Sequence, residues 1–194
     1  MPEKPRSYYN PDETAPAASA PAKPWISPQV TARIGDGPAS LSRLKDLSEV
    51  ARSALVDFGT YYPGASSRSS SIKLVAPAAT ALAHLLAAAR SAGIPSPLLE
   101  PISGFRSPAR QLELWKQAVA KYGSEAAARK WVAPPGHSTH QTGRAVDLDL
   151  GEEVASQAAD RSRNTAAWKW LDAHASEFGF APYPPEPWHW EFVG

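Results

Sequence analysis

Three of the five histidines, His137, His140 and His189, stand beside expected strand ends rather than inside helices. His140 and Asp147 lie seven positions apart across a glycine turn, so a loop or helix end can carry the first while the next strand returns the second to it. His189, from the last expected strand, adds a second imidazole. Two neutral imidazoles and one carboxylate have the composition of a catalytic zinc set, which takes three N and O ligands from the protein and leaves a fourth position to water; other divalent ions accept the same donors. Water on such a metal needs a base, and Glu186, three residues before His189, is placed to take its proton without ligating the ion. Arg106, at the end of another expected strand, can supply positive charge to a tetrahedral intermediate, because a guanidinium stays charged and forks toward oxyanions.

Elements that could position these residues follow from the apolar pattern. Residues 1–35 carry a proline every few positions and read as a flexible Pro/Ala-rich tail or linker, with one folded domain over 36–194. Leu44, Leu47, Val50, Leu55 and Phe58 recur at helical spacing. So do Ile72, Val75, Ala79, Leu82 and Leu86, with Gly93 as the stop. LLEPISGFRS reads as a strand ending at Arg106. Pro108 then opens a helix that buries Leu112, Trp115 and Val119 and ends at Gly123, and SEAAARKWV gives a shorter one. Ala145, Val146, Leu148 and Leu150 form a strand between Gly143 and Gly151. Asn164 is expected to cap a helix with Trp168, Leu171 and Phe178 on its buried stripe. A proline turn and the strand WHWEFV close the chain. Helices and short strands without regular alternation imply an α+β fold with a small, mostly antiparallel sheet flanked by helices.

Composition narrows the function classes. The 194 residues are 43% hydrophobic and 20% charged, as in a soluble globular protein, and a net charge of +1 gives no basic field for nucleic acid. The absence of cysteine removes disulfides, thiolate zinc sites, iron-sulfur clusters and thiol nucleophiles. No window is long and apolar enough for a membrane span, and no signal peptide is visible at the start.

The run S-T-H-Q-T-G-R-A-V-D at 138–147 resembles the S-x-H-x-x-G-x-A-x-D signature of zinc D-alanyl-D-alanine carboxypeptidases and dipeptidases of the VanY and VanX kind. E-P-W-H at 186–189 is similar to the second half of that signature, and G-F-R-S at 104–107, followed by Gln111, to the family's upstream arginine motif. The three motifs occur in the family's order, over about residues 74–194. The resemblance implies His140, Asp147 and His189 as Zn2+ ligands, Glu186 as general base and Arg106 as the group polarising the scissile carbonyl. It places Ser138 and Gln111 in substrate binding. It also implies the hedgehog and DD-peptidase fold, a peptidoglycan peptide as substrate, and action at the cell wall, periplasmic or extracellular. Without a visible leader, delivery falls to phage lysis, a secretion machine, or a leader trimmed from the sequence. A monomer is assumed.

The expected reaction is removal of a terminal D-alanine. Two alternatives stand beside it: a phage-lysin-like endopeptidase cutting L-Ala-D-Glu or a cross-link, and a zinc-binding module of this fold without catalysis. One departure from the family pattern concerns the cleft, because residues 179–185, GFAPYPP, are shorter than the hairpin expected of a VanY-like enzyme. Outside the motifs, His137 and Arg144 are expected at the surface, and His84 and His174 as ordinary helix residues. Trp188 and Trp190 read as core aromatics. Asp149 shares strand parity with Asp147, which leaves it either behind a ligand histidine or facing solvent.

Overall fold

The computed structural model describes residues 47–151 and 162–194. The tail expected over 1–35 and the first part of the leading amphipathic stretch lie outside the described residues.

Two expected helices are replaced in part by strand. β1 (Leu55–Asp57) pairs antiparallel with β2 (Lys73–Val75), Leu55 opposite Val75. Around β1, Arg52–Ala54 and Phe58–Thr60 are single 3-10 turns, so the spacing of Val50, Leu55 and Phe58 marks buried positions on an irregular path, not a helix face. Pro77 explains the second replacement. Proline is tolerated only in a helix's first turn, so the helix starts at Ala76 and leaves Lys73–Val75 to pair. A one-turn helix α1 (Ser67–Ser70) lies between the two strands.

Helix α2 (Ala76–Ser91) buries Ala78, Ala79, Leu82, Leu85, Leu86 and Ala89 as one face of the main core. Above it stands the second sheet, of β3 (Pro101–Ser103), β4 (Ala145–Leu148), β5 (Phe180–Tyr183) and β6 (Glu186–Phe192), ordered β3-β4-β6-β5 with every pair antiparallel. Val146, Leu148, Phe180 and Trp190 close the core from the sheet side. Each fully buried large apolar side chain contributes about 1.5–3 kcal/mol. The fold is therefore α+β, with small antiparallel sheets and flanking helices, as the sequence implies. Strand β5 is an addition, since GFAPYPP reads as a turn; Pro182 fits because β5 is an edge strand, where a missing ladder donor costs least.

Helix α3 (Pro108–Tyr122) begins on Ser107, whose Oγ accepts from the Arg110 amide at 3.2 Å, and ends on Gly123 at φ 80°. Its buried positions include Gln111, Trp115 and Ala118; Leu112, expected inside, is 41% exposed. Gln111 faces inward instead because both ends of its amide find partners there. With the one-turn helix α4 (Glu125–Ala128), α3 builds a small second core around Trp115, Ala118 and Ala128. Helix α5 (Ala166–His174) is capped by Thr165, whose Oγ1 accepts from the Trp168 amide at 3.1 Å, rather than by Asn164 one position earlier. Leu171 and Phe178 are buried as expected, and Trp168 partly so.

Candidate metal centre

His140 sits on a 3-10 turn, Thr139–Thr142, that leads into β4, and three contacts behind the turn fix its place. The Val75 amide donates to the Gly143 carbonyl at 3.0 Å, the Arg106 amide to the His140 carbonyl at 3.1 Å, and the Val50 amide to the Gln141 carbonyl at 3.0 Å. The Gln141 side chain also donates to the Leu47 carbonyl. Gly143 closes the turn at φ 66°, where a side chain is strained, and a Cβ there would stand 2.8 Å from Leu55 Cδ2. The sequence thus folds the motif against β2 and the residues before β1.

The ligand set assembles across a strand pair. In β4, Val146 and Leu148 point into the core, so Asp147 points to the other face; His189 lies directly opposite it on β6. His189 Nδ1 is 2.9 Å and His140 Nε2 3.4 Å from Asp147 Oδ1, and one ligand atom from each of the three lies within 4.8 Å of the others. Among the described residues, this is the one group of histidine and carboxylate side chains gathered closely enough to hold a metal ion. His140 Nδ1–H donates to the Gly104 carbonyl at 2.7 Å, which leaves Nε2 with its lone pair toward the group. His189 Nε2 faces Thr139 Oγ1 at 3.1 Å and Glu191 Oε1 at 3.4 Å.

The electrostatics favour a cation. Burial opposes the ionised form of Asp147, yet His140 and His189 outweigh it and hold the carboxyl well below the usual carboxylate range. His189 is pushed up to about 10: burial works against the imidazolium, and hydrogen bonds to Asp147 and Glu191 overcome it. A pocket that retains positive charge this strongly, with both outer ring nitrogens already supplied with acceptors, fits a divalent ion on two imidazoles and a carboxylate.

Glu186 and His189 are three apart, so in a regular strand they would face opposite sides. The ladder breaks that parity. Pro182 pairs with Trp190, but the next residue, Tyr183, pairs with Glu186, so residues 187–189 of β6 bulge out of register. Glu186 consequently lies in the field of His189, Asp147, His140 and Arg106, and burial raises its carboxyl pKa, with Asp147 adding to the rise. Arg106 is held beside the same group, with Nη1 donating to Gln111 Oε1 at 3.0 Å and Nη2 to Ser103 Oγ at 3.4 Å. Burial lowers its pKa against the pull of Asp147 and Glu186, and a guanidinium remains charged regardless.

Gln111, 1% exposed, also donates from Nε2 to the Ala133 carbonyl at 2.6 Å, so its amide serves Arg106. Ser138 is buried at the start of the His140 turn and makes no capping bond to it. His137 is exposed, and Asp149 accepts from the Gly151 amide at 2.8 Å rather than from a ligand histidine. His84 is an exposed residue of α2, and His174 bonds Glu177 at 3.0 Å. Arg144 lies over the Phe192 ring, Trp190 is in the core, and Trp188 packs partly buried against it. Three neighbours of the site fall outside the motif reading: Thr139, Glu191, and Tyr183, whose ring meets His189 edge-on at 5.5 Å. Glu191 carries a signal in the sequence, because it follows His189 by two on a strand.

The D-alanyl-D-alanine carboxypeptidase model of the VanY family matches residues 71–194. The chain belongs to the VanY family. A D-alanyl-D-alanine carboxypeptidase of Enterococcus faecalis (strain ATCC 700802 / V583) is 35% identical over 132 residues, 58% of this chain and 46% of the relative. Among solved structures, the LdcB LD-carboxypeptidase, described for its peptidoglycan recognition, superposes with a TM-score of 0.60 at 31% identity, covering 75% of this chain and 70% of that one. The E175A mutant of the VanY D,D-pentapeptidase, in complex with Zn(II), gives 0.54 at 27%, covering 81% and 89%. The chain spans about half the length of the curated relatives it matches. No described helix of this VanY-family chain is long and apolar enough to cross a membrane.

Proposed function

We propose that the chain is a zinc-dependent carboxypeptidase of the cell wall that removes a terminal D-alanine from peptidoglycan stem peptides. The observation that carries this reading is the convergence of His140, Asp147 and His189 within 4.8 Å, with Glu186 and Arg106 in the same field. The three residues would hold the zinc, which when bound would supply Lewis acidity and lower the pKa of water at the site toward neutrality. Glu186, its proton affinity raised by burial, takes a proton from the attacking water and returns it to the leaving amine. Arg106 turns its fork to the scissile carbonyl, where negative charge develops. Gln111 keeps that fork in place from behind, which makes it a positioning residue rather than a substrate contact. Ser138 binds the terminal portion of the substrate.

Two peptides test the reading: a pentapeptide stem ending in D-Ala-D-Ala and the tetrapeptide left after one cleavage. Each is incubated with the protein and weighed by mass spectrometry, with chelator and after zinc is restored. Loss of one alanine that stops with chelator and returns with zinc is the expected result. Cleavage of the tetrapeptide alone would assign the LD bond, the reading that the likeness to LdcB favours. Unchanged masses for both peptides, with zinc bound, would overturn the carboxypeptidase assignment.

A further inference from the structure

Strand β6 carries a second acidic residue to the metal face. Residues two apart on a strand share a face, and the register sets Asp147 opposite His189 and Ala145 opposite Glu191. Ala145 offers only a methyl, which leaves room for a longer side chain beside it. Glu191 is 2% exposed, and its Oε1 stands 3.4 Å from His189 Nε2, the ring nitrogen other than the one facing Asp147. Thr139 Oγ1 stands 3.1 Å from the same nitrogen. A neutral imidazole has one lone pair and one N–H. If Nδ1 gives its lone pair to a metal, the proton is on Nε2, and Glu191 and Thr139 occupy the positions of its acceptors. Burying a carboxylate is costly unless charge or hydrogen bonds compensate.

We infer that Glu191 is a positioning residue of the metal centre: it accepts from His189 Nε2–H, holds the ring in the tautomer that ligates through Nδ1, and strengthens that nitrogen as a donor. Thr139 shares the proton. His140 has a backbone carbonyl in the corresponding place, so the two imidazoles are unequal donors, His189 the stronger. The inference rests on the zinc reading above.

Zinc affinity, measured by competition with a chromophoric chelator, separates the two. The set is wild type, Glu191→Leu, Glu191→Gln and Thr139→Val, with melting of the zinc-free forms as a check on folding. Removing such an outer partner typically weakens a metal site about 10- to 100-fold. Glu191→Leu is expected to lose that much, Glu191→Gln to fall between it and wild type, and Thr139→Val to lose less. Nitrogen-15 NMR of the zinc-loaded wild type should show His189 protonated at Nε2. Affinities of both Glu191 variants within about twofold of wild type would overturn the inference, as would a loss confined to Thr139→Val. If Glu191→Leu does not fold, Glu191→Gln decides alone, and unchanged affinity overturns the inference. Failure of the wild type itself to bind zinc would instead overturn the proposed function.

Discussion

Glu186 lies outside the close group of His140, Asp147 and His189, and its electrostatics also differ from those of Asp147. Both it and Asp147 are carboxylates in one buried pocket, yet burial raises one while histidine partners hold the other low. Two acids whose environments drive them apart in this way divide into a base and a ligand. Glu186→Gln keeps the shape and removes the proposed base, so it should retain zinc at wild-type stoichiometry while kcat falls about 10²- to 10⁴-fold. Metal analysis beside a peptide-release assay checks both halves, and near-normal turnover would remove Glu186 from the role. The motif spacing made this residue legible. Its position was not, because only the bulge at 187–189 turns it to the same side as His189.

At the scale of elements, the metal turn depends on close backbone approaches that glycine alone permits. A Cβ on Gly104 would lie 2.7 Å from the Lys73 carbonyl oxygen and 2.4 Å from Ile72 Cγ2, so β2 and the arginine motif would have to separate. The Gly104 carbonyl is also the acceptor for His140 Nδ1–H. Gly104→Ala should therefore lower stability by about 1–3 kcal/mol and weaken zinc binding in the same protein. Urea unfolding with chelator competition tests the coupling; a loss of stability with intact zinc affinity would show that His140 is oriented by something other than this carbonyl. Helix α3 shows the limit of periodicity. Its sequence places Leu112 inside with Trp115, but the helix is rotated to bury Gln111, because an amide with a partner at each end is satisfied there and serves Arg106.

Two predictions belong to the whole molecule. Glu100, buried between distant segments, accepts from the Ser66 amide at 3.2 Å, Ser69 Oγ at 2.8 Å and Ser96 Oγ at 3.0 Å. Burial opposes its charge, but these donors prevail and lower its pKa. The unfolded chain therefore binds the proton more readily than the fold. Stability from this group is present above the ordinary carboxylate value near 4.5 and is lost as pH falls through the lower folded value. Glu100→Gln should cost about 1–3 kcal/mol at pH 7, with the gap to wild type narrowing in acid, as melts across pH would record. Metal belongs to the same ledger. Zinc at about 100 times its Kd should add about 2.7 kcal/mol and raise Tm by roughly 5–10 °C, a rise that chelator or His140→Ala removes.

The sequence by itself determined the residue types available for chemistry and their order, Arg106, His140, Asp147, Glu186 and His189, together with the absence of thiols, the long helices, and the antiparallel character of the sheet. These are local facts of residue type, spacing and capping. Tertiary structure decided the remainder. It turned residues 55–57 and 73–75 into paired strands, drew FAPY onto an edge despite its proline, and broke the parity of β6 so that Glu186 and His189 share a face. It also placed Glu191 beside His189 Nε2 and Gln111 against Arg106. Each of these depends on which backbone amides and carbonyls, far apart in the chain, remain to be paired once the core has formed, and local sequence periodicity does not contain that information.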